Sequence, residues 1–145
     1  MHEVFGEILF YVCLSDARVS QERLKTVHIL LADDQPRVRS AIRLLLEQQP
    51  VVNEVEEVTS AQELLDYVGN HCPDILLLDW DLLGPMPEKL LMTLRTLCPY
   101  LFTVVLDSRP QTRQTALEAG ANEFVSKNEP PEHLLTAIER YVGCQ

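Results

Sequence analysis

The sequence predicts an α/β fold, in which one five-stranded parallel sheet is covered by helices on both faces. From Val27 onward, short apolar runs alternate with longer segments whose apolar residues recur at helical spacing. Apolar runs without strict alternation are typical of strands buried on both faces, as in parallel sheets. Five repeats of strand and helix, joined by right-handed crossovers, then form a doubly wound sheet.

The five predicted strands are separated by segments of helical length. In chain order they are VHILLADD, NEVEEV, ILLLD, LFTVVLD and NEFVSK.

Start and stop signals delimit the five predicted helices. Pro36 suits the first position of the first helix, and the capping box from Ser60 to Glu63 opens the second. Pro99 stops the third helix, and Gly120 closes the fourth, RPQTRQTALEAG, as a C-cap. The fifth begins on two prolines, PPEHLLTAIERYV.

Length and charge restrict the class of protein. The 145 residues suit one domain, which we expect over residues 27–145. A net charge of −10 argues against direct nucleic-acid binding, whose footprint is basic. No apolar run is long enough to span a bilayer and no basic leader is present, so we expect a cytoplasmic protein.

Residues 1–26 form a separate N-terminal extension. Its apolar residues at helical spacing predict a short helix: Phe5, Ile8, Leu9 and Val12. Two interpretations stay open, a loosely ordered tail and a helix that docks on the domain or on a second copy of the chain.

The four cysteines are scattered, without a CxxC motif: Cys13, Cys72, Cys98 and Cys144. This spacing favours reduced thiols over zinc ligands or a disulfide. We expect Cys72 and Cys98, which border strands, to be packing thiols.

Charged residues end four of the five predicted strands, the first, third, fourth and fifth, and parallel strands place these ends at one edge of the sheet. They are Asp33, Asp34, Asp79, Asp107 and Lys127. Carboxylates this close repel one another by about 4 kcal/mol per pair near a surface, so they must protonate or recruit a cation. Hard oxygen ligands in an incomplete cage suit Mg²⁺, which makes an aspartate a usable phosphoryl acceptor.

The sequence resembles the receiver domain of two-component response regulators, the CheY-like family with a flavodoxin-like fold. LLADD, ILLLDWD, LEAGANEFVSK and PPEHLLTAI carry the resemblance, which extends from about Val27 to Val142. The last two motifs look most like receivers that precede LuxR-type helix-turn-helix domains.

The resemblance implies a metal-dependent phosphoacceptor. Asp79 stands where the family has the phosphoacceptor, and Asp33 and Asp34 match the acid pair that binds Mg²⁺. Asp34 would bind directly and Asp33 through water. Asp81 stands where a backbone carbonyl binds the metal, and its side chain would tune dephosphorylation. Lys127 matches the lysine that pairs with the phosphoryl group.

Each of these residues also has a simpler interpretation. Asp33 or Asp34 could cap the helix at Pro36, and Asp81 could be a turn residue. Phe124 stands at the family's aromatic switch position but could be ordinary core.

Two positions depart from the family pattern. Asp107 stands where the fourth strand usually ends in Ser or Thr, whose hydroxyl follows the phosphoryl group on activation. A carboxylate there cannot donate a hydrogen bond unless protonated, and it would repel a phosphoryl anion. Ser108 could replace it only after a register shift. Leu83 stands where the loop after Asp79 usually has proline.

The resemblance implies a signalling module rather than an enzyme acting on other molecules. A histidine kinase or phosphotransfer protein would supply the phosphoryl group, and a downstream protein or a further output domain would respond; a homodimer is also open. One alternative is a pseudo-receiver, a constitutive interaction domain. Another is a haloacid-dehalogenase-like phosphatase, suggested by DWD, although that family's DxD ends the first strand.

Overall fold

The computed structural model describes residues 26–143. Within this range the structure has five strands and five α-helices in strict alternation. The strands are β1 (Val27–Ala32), β2 (Val52–Val58), β3 (Ile75–Asp79), β4 (Phe102–Asp107) and β5 (Glu123–Ser126). The helices are α1 (Pro36–Glu47), α2 (Ala61–Asn70), α3 (Pro87–Leu97), α4 (Thr112–Glu118) and α5 (Pro131–Gly143). A 3₁₀ helix, Trp80–Leu83, follows β3.

The five strands form one parallel sheet in the order β2-β1-β3-β4-β5. Alternate residues of β1 point to opposite faces: Ile29 and Leu31 pack with α1 and α5, whereas Leu30 packs with α2 and α3. Helix α4 covers the same face as α2 and α3, through Ala116 against Val105. The predicted doubly wound sheet is therefore confirmed.

The predicted helix signals act locally as expected in α2 and α4. The Ser60 hydroxyl accepts a hydrogen bond from the Glu63 N–H, which satisfies one free donor of the first turn of α2. Gly120 has a φ of 117° beyond the end of α4, and the Ala121 N–H closes that helix on the Ala116 carbonyl. Helix α4 begins only at Thr112, so RPQ, predicted as its first turn, belongs to a loop.

The N-terminal extension predicted over residues 1–26 lies outside the described residues, apart from the exposed Thr26. Among the described residues, the structure has no helix with the length and apolar character that a bilayer crossing requires.

The two inner cysteines form a disulfide, so the prediction of reduced packing thiols was wrong for Cys72 and Cys98. Their Cα atoms are 5.6 Å apart, although 26 positions separate them in the chain. Cys72 lies in the loop before β3, and Cys98 lies before β4. Because β3 and β4 are parallel neighbours, both loops reach the same edge of the sheet, opposite the strand ends that carry the acids. Cysteine spacing alone does not reveal this proximity.

We expect Cys72→Ser to lower the free energy of unfolding by about 3 kcal/mol in non-reducing buffer, because the disulfide restricts a loop of this length in the unfolded chain. Urea denaturation measures the change. Reductant should destabilise the wild type to the level of the variant and leave the variant unchanged. Cys13→Ser, outside the described residues, is the matched control and should keep the response to reductant. A wild type indifferent to reductant would contradict the disulfide.

Candidate functional site

The carboxyl ends of four strands bring the predicted charged residues together at one edge of the sheet. Asp33 directly follows β1, Asp79 and Asp107 are the last residues of β3 and β4, and Lys127 directly follows β5. The strand order places β1, β3, β4 and β5 side by side. The predicted convergence of these four residues is therefore confirmed.

Lys127 joins the two most buried acids of this edge. Its Nζ lies 3.0 Å from Oδ2 of Asp33 and 3.1 Å from Oδ1 of Asp79. Both carboxylates are buried, and the lysine side chain is largely so. The backbone N–H of Lys127 also donates a hydrogen bond to the backbone carbonyl of Asp107, which fixes the start of the β5–α5 loop against β4. Lys127 is thus held by residues at the ends of three strands, β1, β3 and β4.

Burial and neighbouring charges act in opposite directions on the Asp79 carboxyl. Burial raises its pKa, the ammonium of Lys127 lowers it, the nearby Asp33 carboxylate raises it, and the pKa lies above the ordinary value. Burial alone would lower the pKa of Lys127, but the carboxylates of Asp33 and Asp79 raise it above its ordinary value. The site therefore holds a cation firmly while it disfavours the ionised form of Asp79.

Asp33, Asp34 and Asp79 fit a hard divalent cation. Each offers a carboxylate oxygen, and these oxygens lie within 4.8 Å of one another. Oδ1 of Asp33 accepts from the Gln35 N–H at 2.9 Å. Its Oδ2 is buried and lacks an aligned hydrogen bond, although Lys127 lies beside it. A buried carboxylate oxygen in this state has coordination capacity left, as an incomplete Mg²⁺ cage requires.

The helix-cap interpretation of the acid pair was wrong. Gln35 is the N-cap residue of α1, and no side chain caps that helix. Asp34 is the exposed member of the acid group that it forms with Asp33 and Asp79.

Asp81 lies at the rim of the site. It is the second residue of the 3₁₀ helix, and its N–H points toward Oδ1 of Asp79 at 3.4 Å. Leu83, the departure from the family's proline, is buried in the core shared with α2 and α3. Gly84 then ends the turn with a φ of 74°, a conformation that favours glycine.

The Asp107 carboxylate is buried and fully engaged, a feature that the sequence did not predict. It accepts from the Thr112 hydroxyl at 2.6 Å and from Nε and Nη2 of Arg109, both at 2.9 Å. Burial alone would raise the pKa of Asp107, but the hydrogen bonds from Arg109 and Thr112 hold it below the ordinary value. Ser108 is exposed beyond the strand. The sequence-based expectation that Asp107 repels a phosphoryl anion did not take account of Arg109, which lies two positions away and supplies a compensating positive charge.

Phe124 is buried and packs with Val105, Ala116 and Trp80. The guanidinium carbon of Arg113, in the first turn of α4, lies 4.9 Å from the centroid of the Phe124 ring. This distance is typical of a cation–π contact. The aromatic residue thus connects β5 to the helix that follows the Asp107 loop.

A parallel five-stranded sheet with acids and a lysine at its carboxyl edge is the arrangement of a receiver domain. The response regulator receiver domain family matches residues 29–139. The chain belongs to this family.

Individual relatives agree with the family. The chain is 28% identical over 114 residues to the nitrate/nitrite response regulator protein NarL of Escherichia coli K12, covering 77% of this chain and 53% of that protein. It is 34% identical over 119 residues to the glycerol metabolism activator of Pseudomonas putida, covering 79% of this chain and 53% of that protein. The chain thus spans about half the length of these curated relatives.

The crystal structure of a LuxR-family two-component response regulator from Aurantimonas sp. SI85-9A1 superposes with a TM-score of 0.73 at 30% identity. The superposition covers 81% of this chain and 86% of that chain.

We expect Asp79→Asn to raise the free energy of unfolding at pH 7 in metal-free buffer by about 1 kcal/mol, because the variant removes a buried charge. The pKa of Asp79 is higher in the folded state than its ordinary value of 3.8, so folding favours the protonated carboxyl. The stability that this protonation contributes is fully present below pH 3.8 and is lost as the pH rises through the folded-state pKa. The gain should therefore shrink toward pH 4. Urea denaturation at the two pH values checks this.

Two further substitutions distinguish the stabilising effect of Asp79→Asn from the effect of losing any charged side chain. Lys127→Met should lower the free energy of unfolding by about 3 kcal/mol, since it leaves two buried carboxylates uncompensated. Glu88→Gln, at an exposed position of α3, should change it little. An Asp79→Asn variant less stable than the wild type at pH 7 would contradict the charge assignment.

Proposed function

We propose that Asp79 accepts a phosphoryl group from the phosphohistidine of a histidine kinase or phosphotransfer protein. A carboxylate oxygen of Asp79 forms a bond to phosphorus while the phosphorus–nitrogen bond breaks, and the electron pair returns to the imidazole. The observation that carries the proposal is the buried carboxylate of Asp79 at the end of β3, with the Lys127 ammonium 3.1 Å away. A fixed cation at that distance stabilises charge that develops on the transferred group.

We propose for the other acids the roles that the family resemblance implies, and the closeness of their carboxylate oxygens supports those roles. Asp33, Asp34 and Asp79, with the backbone carbonyl of Asp81, would hold Mg²⁺, Asp34 directly and Asp33 through water. A bound Mg²⁺ would neutralise the charge of the acids and of the incoming phosphoryl oxygens. Lys127 then stays paired with Asp33 while it contacts the phosphoryl group. Asp81, exposed at the rim, faces the path of water and tunes hydrolysis of the acyl phosphate.

Phosphorylation changes the binding of partners through the elements next to Asp107. A phosphoryl group adds charge and acceptor oxygens, which reorder nearby loops. Asp107 occupies the switch position with Thr112 and Arg109 attached to it, and Phe124 lies under α4. We define the Phe124 face as Phe124 on β5 and the part of α4 that packs on it through Ala116. We propose that the loop from residue 108 to 111 and the Phe124 face carry the change to a downstream protein or output domain.

The domain acts as a cytoplasmic regulatory module, not as an enzyme on other molecules. It accepts a phosphoryl group and loses it to water. The chain's span of about half of NarL and the glycerol metabolism activator supports a role together with an output function. Direct nucleic-acid binding does not fit the net charge of −10. Residues 27–145 would form the receiver and residues 1–26 an extension, with a homodimer as one state to test.

The phosphatase alternative fits the structure less well. The DWD motif begins at Asp79, the last residue of the third strand in chain order, whereas that family's motif ends the first strand. The pseudo-receiver alternative predicts that neither a phosphoryl group nor its mimic binds.

We expect acetyl phosphate with Mg²⁺ to add one phosphoryl group per chain, measured by intact mass spectrometry. Asp79→Asn should abolish the adduct, and Lys127→Ala should slow its formation about a hundredfold, because one preorganised charge is lost. Glu88→Gln is the control and should match the wild type. An adduct that persists in Asp79→Asn would place the acceptor elsewhere, and absence of any adduct on the wild type would favour the pseudo-receiver.

We expect Mg²⁺ to change the fluorescence of Trp80, which directly follows Asp79 and is partly exposed. Asp34→Asn should weaken Mg²⁺ binding at least tenfold, because a direct carboxylate ligand is lost. Asp66→Asn, at an exposed position of α2, is the control. Equal Mg²⁺ affinities in wild type and Asp34→Asn would contradict the ligand assignment.

A further inference from the structure

A second group of acids lies beside the proposed metal cluster. Asp79, Asp81 and Asp107 each offer a carboxylate oxygen, and these oxygens lie within 4.8 Å of one another. The guanidinium of Arg109 pairs with two of the three: its Nη2 lies 2.6 Å from Oδ1 of Asp81 and 2.9 Å from Oδ1 of Asp107. The arginine thus supplies a cation within the group.

The two carboxylates hold Arg109 with different strength. Asp107 is buried and receives both Nε and Nη2, the paired geometry in which arginine binds carboxylates best. Asp81 receives Nη2 alone and has a side chain that is 69% exposed. Such a solvated ion pair contributes little, less than about 1 kcal/mol. Arg109 is therefore anchored on Asp107, and its contact with Asp81 is the one that exchanges readily.

We propose that Arg109 is the residue of this chain that responds to the phosphoryl group on Asp79. Its guanidinium leaves Asp81, stays anchored on Asp107 and pairs with phosphoryl oxygens. A guanidinium presents several donors in a plane and suits phosphate oxygens. This exchange of partners is favourable because a doubly charged phosphoryl group attracts the guanidinium of Arg109 more strongly than the single, exposed carboxylate of Asp81 does.

This role assigns a function to Asp107 at the position where the family usually has a hydroxyl. The carboxylate does not contact the phosphoryl group; it orients the cation that does. Arg109 and Thr112 both attach to Asp107, and the next residue, Arg113, covers the ring of Phe124. A shift of Arg109 therefore pulls on the loop that begins α4, which is a route from the phosphoryl group to the Phe124 face.

The inference rests on the proposed function, so the test starts from the wild type. Beryllofluoride, which mimics the phosphoryl group on an aspartate, is titrated with Mg²⁺ and followed by Trp80 fluorescence. Acetyl phosphate labelling of the same sample is measured by mass. A wild type that neither binds beryllofluoride nor becomes labelled overturns the proposed function together with the inference.

With a competent wild type, we expect Arg109→Ala to weaken beryllofluoride binding about tenfold, because charge-assisted hydrogen bonds are lost. Arg109→Lys, which keeps the charge without the planar fork, should restore part of the affinity. Arg140→Ala is the matched control: Arg140 also pairs with a carboxylate, Glu123, and its side chain is 56% exposed against 48% for Arg109. Affinity that is unchanged in folded Arg109→Ala, with labelling of Asp79 intact, overturns the inference alone.

A double-mutant cycle distinguishes phosphoryl sensing from a structural role. Asp81→Asn removes the competing carboxylate and leaves Arg109 and Asp107 in place, so it tests the proposal even if Arg109→Ala fails to fold. We expect this variant to bind beryllofluoride at least threefold more tightly than the wild type. The gain should fall when Arg109 is also replaced by lysine, because part of it depends on the released guanidinium. An equal gain in both backgrounds, or no gain, overturns the proposal.

Discussion

The ammonium of Lys127 lies between the buried carboxylates of Asp33 and Asp79, and the remainder of the site depends on this arrangement. Two such acids side by side would otherwise disfavour the folded chain, since neither has water to stabilise its charge. The sheet order makes the contact available because strands that are distant in the sequence end at one edge. Burial raises the pKa of Asp79, and the adjacent Lys127 ammonium lowers it only in part, so Asp79 lies close to a cation and still has a pKa above the ordinary value.

Much of the fold was predictable from the sequence because its determinants are local. Apolar runs such as Ile75–Asp79 and the signals at Ser60 and Gly120 act within a few residues, and the structure places them as predicted. The pairing of Cys72 with Cys98 was not predictable, because it depends on two crossovers returning to neighbouring positions. The late start of α4 was also missed, since Asp107 draws the side chain of Arg109 toward the site before the helix begins.

The site itself was predictable only in part. Strand-end positions sufficed to bring Asp33, Asp79 and Lys127 together, because a parallel sheet aligns its carboxyl ends. The state of Asp107 was not predictable in the same way. An isolated carboxylate repels anions, but the Asp107 carboxylate accepts two hydrogen bonds from the Arg109 side chain and so holds a cation in the site. The spacing of an acid and an arginine two residues apart was a usable signal, but the direction of the arginine depends on the path of the loop.

The disulfide between Cys72 and Cys98 restrains one end of helix α3 and not the other. It ties the segment before β3 to the C-terminal end of α3, at the edge of the sheet remote from Asp79. The N-terminal end of α3 follows the 3₁₀ helix and Gly84, where no such covalent tether exists among the described residues. The C-terminal end of α3 is therefore held by the crosslink, whereas its N-terminal end is not. A tilt of α3 would pivot about the disulfide and would displace most the end of the helix near Asp79.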